Sequence, residues 1–461
     1  MKFHHFVTYG SASTGKVAIE MMLQLYLFDF FTRLLGLSPA LAGTAFAIAI
    51  LWDAISDLVV SVCLFKARQK GVLYTSFVLG GGVILGGSIA YLFSANAAQS
   101  ELSLFLHLLI AYSLVNTGMT LIDLPQTSMS AELSHKSDER NKLLASRLGL
   151  GILGLIIGST IPGFFLGGES IEAAARSRTI GGYVLAAMVV FASIITFIGL
   201  RKVDHASAAG RQVELPSFRE ALAVLKEKFF RRIMTASIIA AIGRTVNAAL
   251  ALLYYRLVLN LSEEDVTRII FPIFTLCIVL SIPLWVKLSK RYGKARPAWV
   301  SVGLLGIMGI IAYPLLPAGQ IWPPILISAF GGVLCGSVFL VDSMITDLID
   351  QDEAKTGKRK ESLFFALQKS GVKIARAVAF VVIGGALQIS GVEMGLTETT
   401  TADKLFVVLL FGVAVGLCFV ACAYFLRRTE ACFPISKNKN KPSTKSWMTM
   451  KPKYSESTAS D

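Results

Sequence analysis

Two carboxylates four residues apart, Asp53 and Asp57, sit inside the apolar stretch Leu51-Trp52-Asp53-Ala54-Ile55-Ser56-Asp57-Leu58. On a helix that spacing stacks them on one face. An ionised carboxylate at the middle of a bilayer costs about 2.5 to 3.5 kcal/mol on insertion scales, so two on one face require a cation or a water-filled cavity beside them. The chemistry they suit is cation binding. Thr120-Leu121-Ile122-Asp123 adds a third carboxylate with a hydroxyl on the same helical face, and these oxygens are hard ligands for Na⁺, Li⁺ or a proton. Further along, Lys369, Lys373 and Arg376 stand at i, i+4 and i+7 with Gln368 beside them, forming one cationic stripe. If that stripe faces the acids, a bound cation would replace the lysine partner and couple cation binding to the arrangement of the protein. The plainer alternative is a structural ion-pair network.

The apolar segments carry five more charges: Lys16, Glu20, Arg147, Arg244 and Asp342. Arg147 begins an apolar run, where it would either snorkel to the membrane boundary or reach into a cavity and bind solute oxygens. Glu20 shares a helix face with Lys16, which leaves a local ion pair and a solute contact both open. The five histidines are scattered, and the six cysteines lie mostly in apolar runs without metal-ligand spacing. No nucleophile and base stand together, so no enzyme is expected.

The elements that must position these residues are membrane helices. Of 461 residues 54% are hydrophobic and only 16% charged, against about 25% charged in soluble proteins. Apolar windows predict twelve helices, near 6–36, 39–65, 72–95, 103–132, 143–167, 180–200, 232–260, 267–288, 297–316, 323–349, 362–390 and 404–427. Loops near 66–70, 136–142, 290–296 and 355–360 are basic, whereas 96–102 and 317–322 hold no lysine or arginine. The net charge of +14 therefore reads as the positive-inside pattern rather than as a nucleic-acid surface. The same pattern predicts a multi-pass protein of the cell membrane with both termini cytoplasmic. The first helix follows no cleavage site and is expected to be retained.

A basic connector, 201–231, divides the chain into bundles at 1–200 and 232–427, and its stretch 217–230 is amphipathic enough to lie along a membrane surface. The tail, 428–461, is polar, basic and expected to be disordered. Six helices plus six with such a connector is the organisation of a two-bundle transporter, with its solute site between the halves. No clear sequence repeat relates the halves. Glycines at GxxxG spacing, Gly82 with Gly86 and Gly154 with Gly158, predict close helix packing.

Several stretches together carry a family resemblance: Gly15-Lys16; Leu35-Gly36-Leu37-Ser38; Trp52-Asp53-Ala54-Ile55-Ser56-Asp57; Gly118-Met119-Thr120 followed by Asp123-Leu124-Pro125; and Asp347-Leu348-Ile349-Asp350 running through Arg359 to Glu361-Ser362, with Lys373 twelve residues on. In their order and spacing the chain resembles the glycoside-pentoside-hexuronide:cation symporters of the major facilitator superfamily. The resemblance implies an all-α fold of twelve transmembrane helices in two six-helix bundles, working by alternating access to carry a solute with Na⁺, Li⁺ or H⁺. It implies a cation site of Asp53, Asp57, Thr120 and Asp123, with Ser56 where the family has Asn. Lys373 would stand beside that site, and Arg147 and Asp123 would touch the solute. Lys373 itself and, from their places in the apolar segments rather than from the resemblance, Glu20, Gln368 and Lys369 are the further expected solute contacts. Arg140 in the 138–140 loop, Asp347, Asp350 and Arg359 match charges that pair the halves when the carrier faces outward.

The departures from the pattern bear on the cargo. Val17 stands where the family has the Asp that holds galactosyl hydroxyls, and Thr127 where it has a Trp that stacks on the sugar. Leu58 replaces the usual Pro, Ile50 a frequent Arg, and Lys369 and Arg376 are additional cations. Losing an acceptor pair and a stacking platform disfavours a simple galactoside. The extra positive charge favours a sugar derivative or another small polar or anionic organic molecule, such as a uronide or a sulfonate. A lysophospholipid-like amphiphile and a non-transporting receptor or scaffold on the same fold are the alternatives. The expected partners are the solute, a monovalent cation and the bilayer, with no nucleic acid, no cofactor and a monomeric state.

Overall fold

The structure, a computed structural model, describes residues 3–133, 137–166, 170–206, 223–357, 360–391 and 400–430. Among these residues the chain forms twelve long helical rods. They are α1 (Phe3–Met22, continued by π-helical turns Leu23–Leu27 and Phe30–Leu34), α2 (Pro39–Gln69), α3 (Tyr74–Leu92), α4 (Glu101–Glu132), α5 (Ser137–Phe164) and α6 (Ile171–Ala206). After a single turn at 223–226 come α7 (Lys228–Leu253, with a π-helical turn Tyr254–Val258), α8 (Glu263–Tyr292), α9 (Ala295–Leu315), α10 (Trp322–Thr356), α11 (Glu361–Ser390) and α12 (Thr401–Arg427). Eleven of these are long and apolar enough to cross a membrane; α1 falls short because Lys16, Glu20, Asp29 and Arg33 interrupt its apolar run. Helices are the form such runs must take in lipid, where each backbone N–H and C=O needs an internal partner.

The rods agree with the predicted spans and extend past several of them. Helix α6 begins at Ile171 rather than near 180, and Arg178 lies fully buried in its first turns. Residues 138–140, expected in a loop, form the first turn of α5. Most of the predicted connector (207–222) and of the tail (431–461) lies outside the described residues.

The GxxxG pairs pack as their spacing predicts. A Cβ on Gly154 or Gly158 of α5 would stand 2.2 or 2.1 Å from the carbonyl oxygens of Thr14 and Ala18 on α1. Gly82 and Gly86 of α3 meet Ser193 and Val190 of α6 in the same way.

The two bundles repeat a local structure that the sequence hides. After α1, Leu35 and Leu37 donate to the carbonyls of Phe30 and Phe31; after α7, Leu259 and Leu261 donate to those of Tyr254 and Tyr255. Between them sit Gly36 at φ 80° and Asn260 at φ 51°, each 224 residues from its counterpart. Both turns need a left-handed residue, which Gly supplies freely and Asn tolerates. Different residues meet one backbone requirement, so identity-based comparison misses the repeat.

The bundles meet at the end where the connecting loops (93–100 and 316–321) lack lysine and arginine. There α2 and α11 touch backbone to backbone: a Cβ on Gly43 would lie 2.3 Å from the Phe380 oxygen, and one on Gly384 2.3 Å from the Pro39 oxygen. Phe46 stacks on Phe380 at 4.5 Å, with Phe28 against both. Beside this aromatic plug lies a buried four-charge cluster. Arg33 bonds both oxygens of Asp29 (2.7 and 2.9 Å) and Glu263 Oε2 (2.8 Å). Arg178 bonds Asp29 (3.2 Å) and lies 2.5 Å from Glu263 Oε1, an ion contact outside hydrogen-bond angles. Glu263 belongs to the second bundle and the other three to the first, so the cluster ties the bundles together. Arg268 adds bonds to the carbonyls of Gly163 and Leu166, 2.8 Å each.

Candidate functional site

Below this sealed end a cavity of about 1440 Å³ lies between the bundles, lined by α1, α2, α4 and α5 on one side and α7, α9, α10, α11 and α12 on the other. Phe46 and Phe380 roof it. Helix α10 breaks at 336–338 where Ser337 and Val338 front the cavity, irregular backbone placed where it is not exposed to lipid.

The residues singled out in the sequence fall into two charged groups across this space. In the first, Asp53 and Asp57 of α2 turn to Lys373 of α11, whose Nζ lies 2.9 Å from Asp53 Oδ2 and 2.5 Å from Asp57 Oδ2. Thr120 Oγ1 of α4 donates to Asp57 Oδ1 (2.7 Å) and is 3.4 Å from Asp53 Oδ1. Two carboxylates and a hydroxyl thus converge on one ammonium, which comes from the opposite bundle. Monovalent cations are served by the same hard oxygens.

In the second group Asp123 is held by cations. Lys16 Nζ lies 2.9 Å and Arg147 Nη2 2.5 Å from its Oδ1, while Lys369 Nζ is 3.9 Å from Oδ2. Arg147 also donates to Thr127 Oγ1 at 2.8 Å, so it reaches into the cavity and does not snorkel. Glu20 fronts the cavity 3.9 Å from Lys16, the local pairing that the sequence left open. Lys369 is the freer partner, its side chain 63% exposed.

The expected cation set is therefore not gathered whole. Among the described residues no three His, Cys, Asp or Glu side chains close on one point, and Asp123 pairs apart from Asp53 and Asp57. Ser56 is buried and spends its hydroxyl on the carbonyl of Asp53 at 3.0 Å, away from the cavity lining. Gln368 is buried in the wall and donates to Asp342 (3.1 Å). Of the expected gate charges, Asp347 pairs within its own bundle with Lys294 (2.6 Å), and Asp350 follows on the same helix. Arg359 and the side chain of Arg140 lie outside the described residues.

Two features escaped sequence reasoning. The Asp29, Arg33, Arg178 and Glu263 cluster was signalled only by the i, i+4 spacing of Asp29 and Arg33, because the other two charges fell outside the predicted helices. Arg244 of α7, seen as a charge without a role, lines the cavity and is exposed to it.

Residues 8–436 match the family described as MFS/sugar transport protein. The chain belongs to that family. Its relatives include an uncharacterized symporter, YjmB, of Bacillus subtilis, 24% identical over 92% of both chains. The sodium-dependent lysophosphatidylcholine symporter 1 of Gallus gallus is 20% identical over 97% of this chain and 89% of that one. Among solved structures the nucleoside transporter NupG superposes with a TM-score of 0.66 at 13% identity, covering 92% of this chain and 99% of that one. A bacterial homologue of the lysosomal transporter Spinster, solved inward-facing, gives 0.65 at 12%, covering 94% and 96%. These likenesses are to the fold. The protein is thus a multi-pass membrane protein of the major facilitator superfamily, two six-helix bundles around a central cavity, and a secondary transporter.

Proposed function

We propose that this protein is a cation:solute symporter, driven by Na⁺ or H⁺, in which Asp53, Asp57 and Thr120 bind the cation and Lys373 reports its presence to the other bundle. The single observation that carries this reading is the Lys373 ammonium, donated by α11 and lodged among α2 oxygens 2.5 and 2.9 Å away. A monovalent cation entering those oxygens releases the lysine and with it one of the ties between the bundles. Linkage then requires that whatever favours the released state also raises cation affinity by the same factor. The naming of the Gallus gallus relative as sodium-dependent supports Na⁺ as the first candidate.

The solute binds in the central cavity against Asp123, Arg147 and Lys369, with Lys16 and Glu20 shaping the polar side. Val17 and Thr127 stand where the resembled symporters hold a galactoside with an Asp and a Trp. A sugar derivative or another small polar or anionic organic molecule fits better. A second reading, transport of an amphiphile, draws support from the relative named for lysophosphatidylcholine and from the apolar lining at Ala240, Val302, Val341 and Phe365. We divide the chain at the 201–231 connector and place the protein in the cell membrane with the basic loops and both termini inside. Asp347, Asp350, Arg140 and Arg359 would join the bundles at the basic end when the carrier faces outward. We assign it no catalytic role and expect it to act as a monomer.

Purified protein in proteoliposomes tests the coupling. Thermal stability titrated with NaCl against choline chloride should rise with Na⁺, and Asp57→Cys should abolish the rise. A Na⁺ response that survives Asp57→Cys refutes the assigned site; a response to pH alone selects the proton.

A further inference from the structure

Among the described residues the ion pairs of the cavity leave over two of its lining cations, Arg244 and Arg376. Arg244 stands on α7 within a face made of Ser237, Ala240, Ala241, Thr245 and Ala248, which all line the cavity at helical spacing. The alanines end at Cβ, so the guanidinium stands clear above an apolar floor. By the 224-residue repeat Arg244 takes on α7 the place that Glu20 takes on α1, a cation facing the cavity where the first bundle has an acid. On α11, Arg376 fronts the same cavity three residues beyond Lys373, with the Tyr112 hydroxyl against it. The two arginines are close enough for each to feel the other's charge.

Among the described residues neither Arg244 nor Arg376 forms an ion pair. The cavity's carboxylates make their ion pairs with other groups: Asp53 and Asp57 with Lys373, Asp123 with Lys16 and Arg147, and Glu20 with Lys16; Asp342 accepts from the Gln368 amide and is the carboxylate whose charge reaches Arg244, as that of Asp53 reaches Arg376. Lining cations outnumber lining carboxylates by six to five. The Ser237 hydroxyl, on the α7 face two turns from Arg244 and 8% exposed, has no hydrogen-bond partner among the described residues. A guanidinium holds its donors in a fork that suits carboxylate, sulfonate and phosphate oxygens.

We propose that Arg244 and Arg376 form the subsite for an anionic group of the solute, with the solute's apolar part laid along the alanine face of α7. The subsite lies on the second bundle, apart from Arg147 and Asp123 on the first, so one solute carrying an anionic group and an apolar part would touch both halves. Its link to the cation rests on the symport reading above. When a coupling cation takes the place of Lys373 at Asp53 and Asp57, the excess positive charge of the cavity rises by one, and the freed ammonium stands one turn from Arg376. Cation and anion then favour each other's binding without touching.

The test uses a matched probe pair, octyl glucuronide and octyl glucoside below their micellar concentrations. Binding is read as thermal stabilisation of the full chain in phosphatidylcholine nanodiscs, with and without Na⁺. The glucuronide should bind at least about tenfold more tightly than the glucoside in Na⁺, the worth of one charge-assisted bond. Arg244→Gln and Arg376→Gln should each bring the two probes within about threefold, whereas Arg244→Lys should keep most of the preference. Retained stabilisation by Na⁺ alone shows that a variant is folded. Equal binding of the two probes to the unaltered protein, or a preference that survives both Gln substitutions, overturns the proposal. A preference that depends on the arginines and ignores Na⁺ supports the subsite and refutes the cation coupling. Arginine-independent binding that still needs Na⁺ does the reverse.

Discussion

Replacing Glu263 by Gln should tip the carrier toward opening at its sealed end. Glu263 is the second bundle's contribution to the four-charge cluster; it is 5% exposed, and its partners Asp29, Arg33 and Arg178 are 1%, 6% and 0% exposed. The four ion-paired groups, two carboxylates and two guanidiniums, balance one another, with the charge of Arg256 close enough to act on all four. Glu263→Gln leaves one guanidinium charge buried without compensation, a loss that costs about 3 to 5 kcal/mol in buried ion pairs. When the bundles part at this end water reaches all four groups, so the penalty falls on the closed arrangement alone. About 3 kcal/mol changes the ratio of closed to open molecules by roughly a hundredfold. Spin labels at Leu102 and Trp322, both exposed near the sealed end and one on each bundle, report the separation by double electron–electron resonance in a cysteine-free background. The expected result is a new population at longer distance. A distance distribution unchanged by Glu263→Gln, in protein that still binds Na⁺, would refute the view that this cluster holds the sealed end shut.

Gly43→Val should act at the same seal by sterics, because its Cβ would stand 2.3 Å from the Phe380 oxygen, and should lengthen the same label distance. Thr120→Ala removes a hydroxyl 2.7 Å from Asp57, and a bond to a charged acceptor is worth about 1.5 to 3 kcal/mol. Cation affinity, measured by isothermal titration, should fall by roughly tenfold or more. Ser56→Ala, by contrast, deletes a hydroxyl that bonds its own helix backbone, and should leave that affinity within about twofold. Lys373→Ala should weaken the coupling of the two ligands: the solute should still bind, with an affinity that responds less to Na⁺ in nanodisc titrations than that of the unaltered protein, the remaining response coming from the charge of the cation itself.

The class, the helix count and the face on which most of the site lies were legible from residue types and spacing alone. Long apolar runs have one backbone solution in lipid, and carboxylates inside them need a compensating charge, so both conclusions follow from local chemistry. The i, i+4 spacing of Asp53 and Asp57 and the stripe through Lys373 were legible for that reason. What the linear pattern could not give was which charge meets which. It was the packing of the two bundles that sent Lys373 to Asp53 and Asp57 and gave Asp123 to Lys16 and Arg147, so the three aspartates, alike in sequence, part into two groups. Only it turned Ser56 to the backbone, brought Glu263 to Arg33 across 230 residues, and left Arg244 clear over a floor of alanines. The physical reason is common to all of these. Helix periodicity fixes the direction of a side chain about its own axis, whereas the partner it finds depends on how two bundles cross, and that geometry is set by hundreds of contacts remote from the charges themselves.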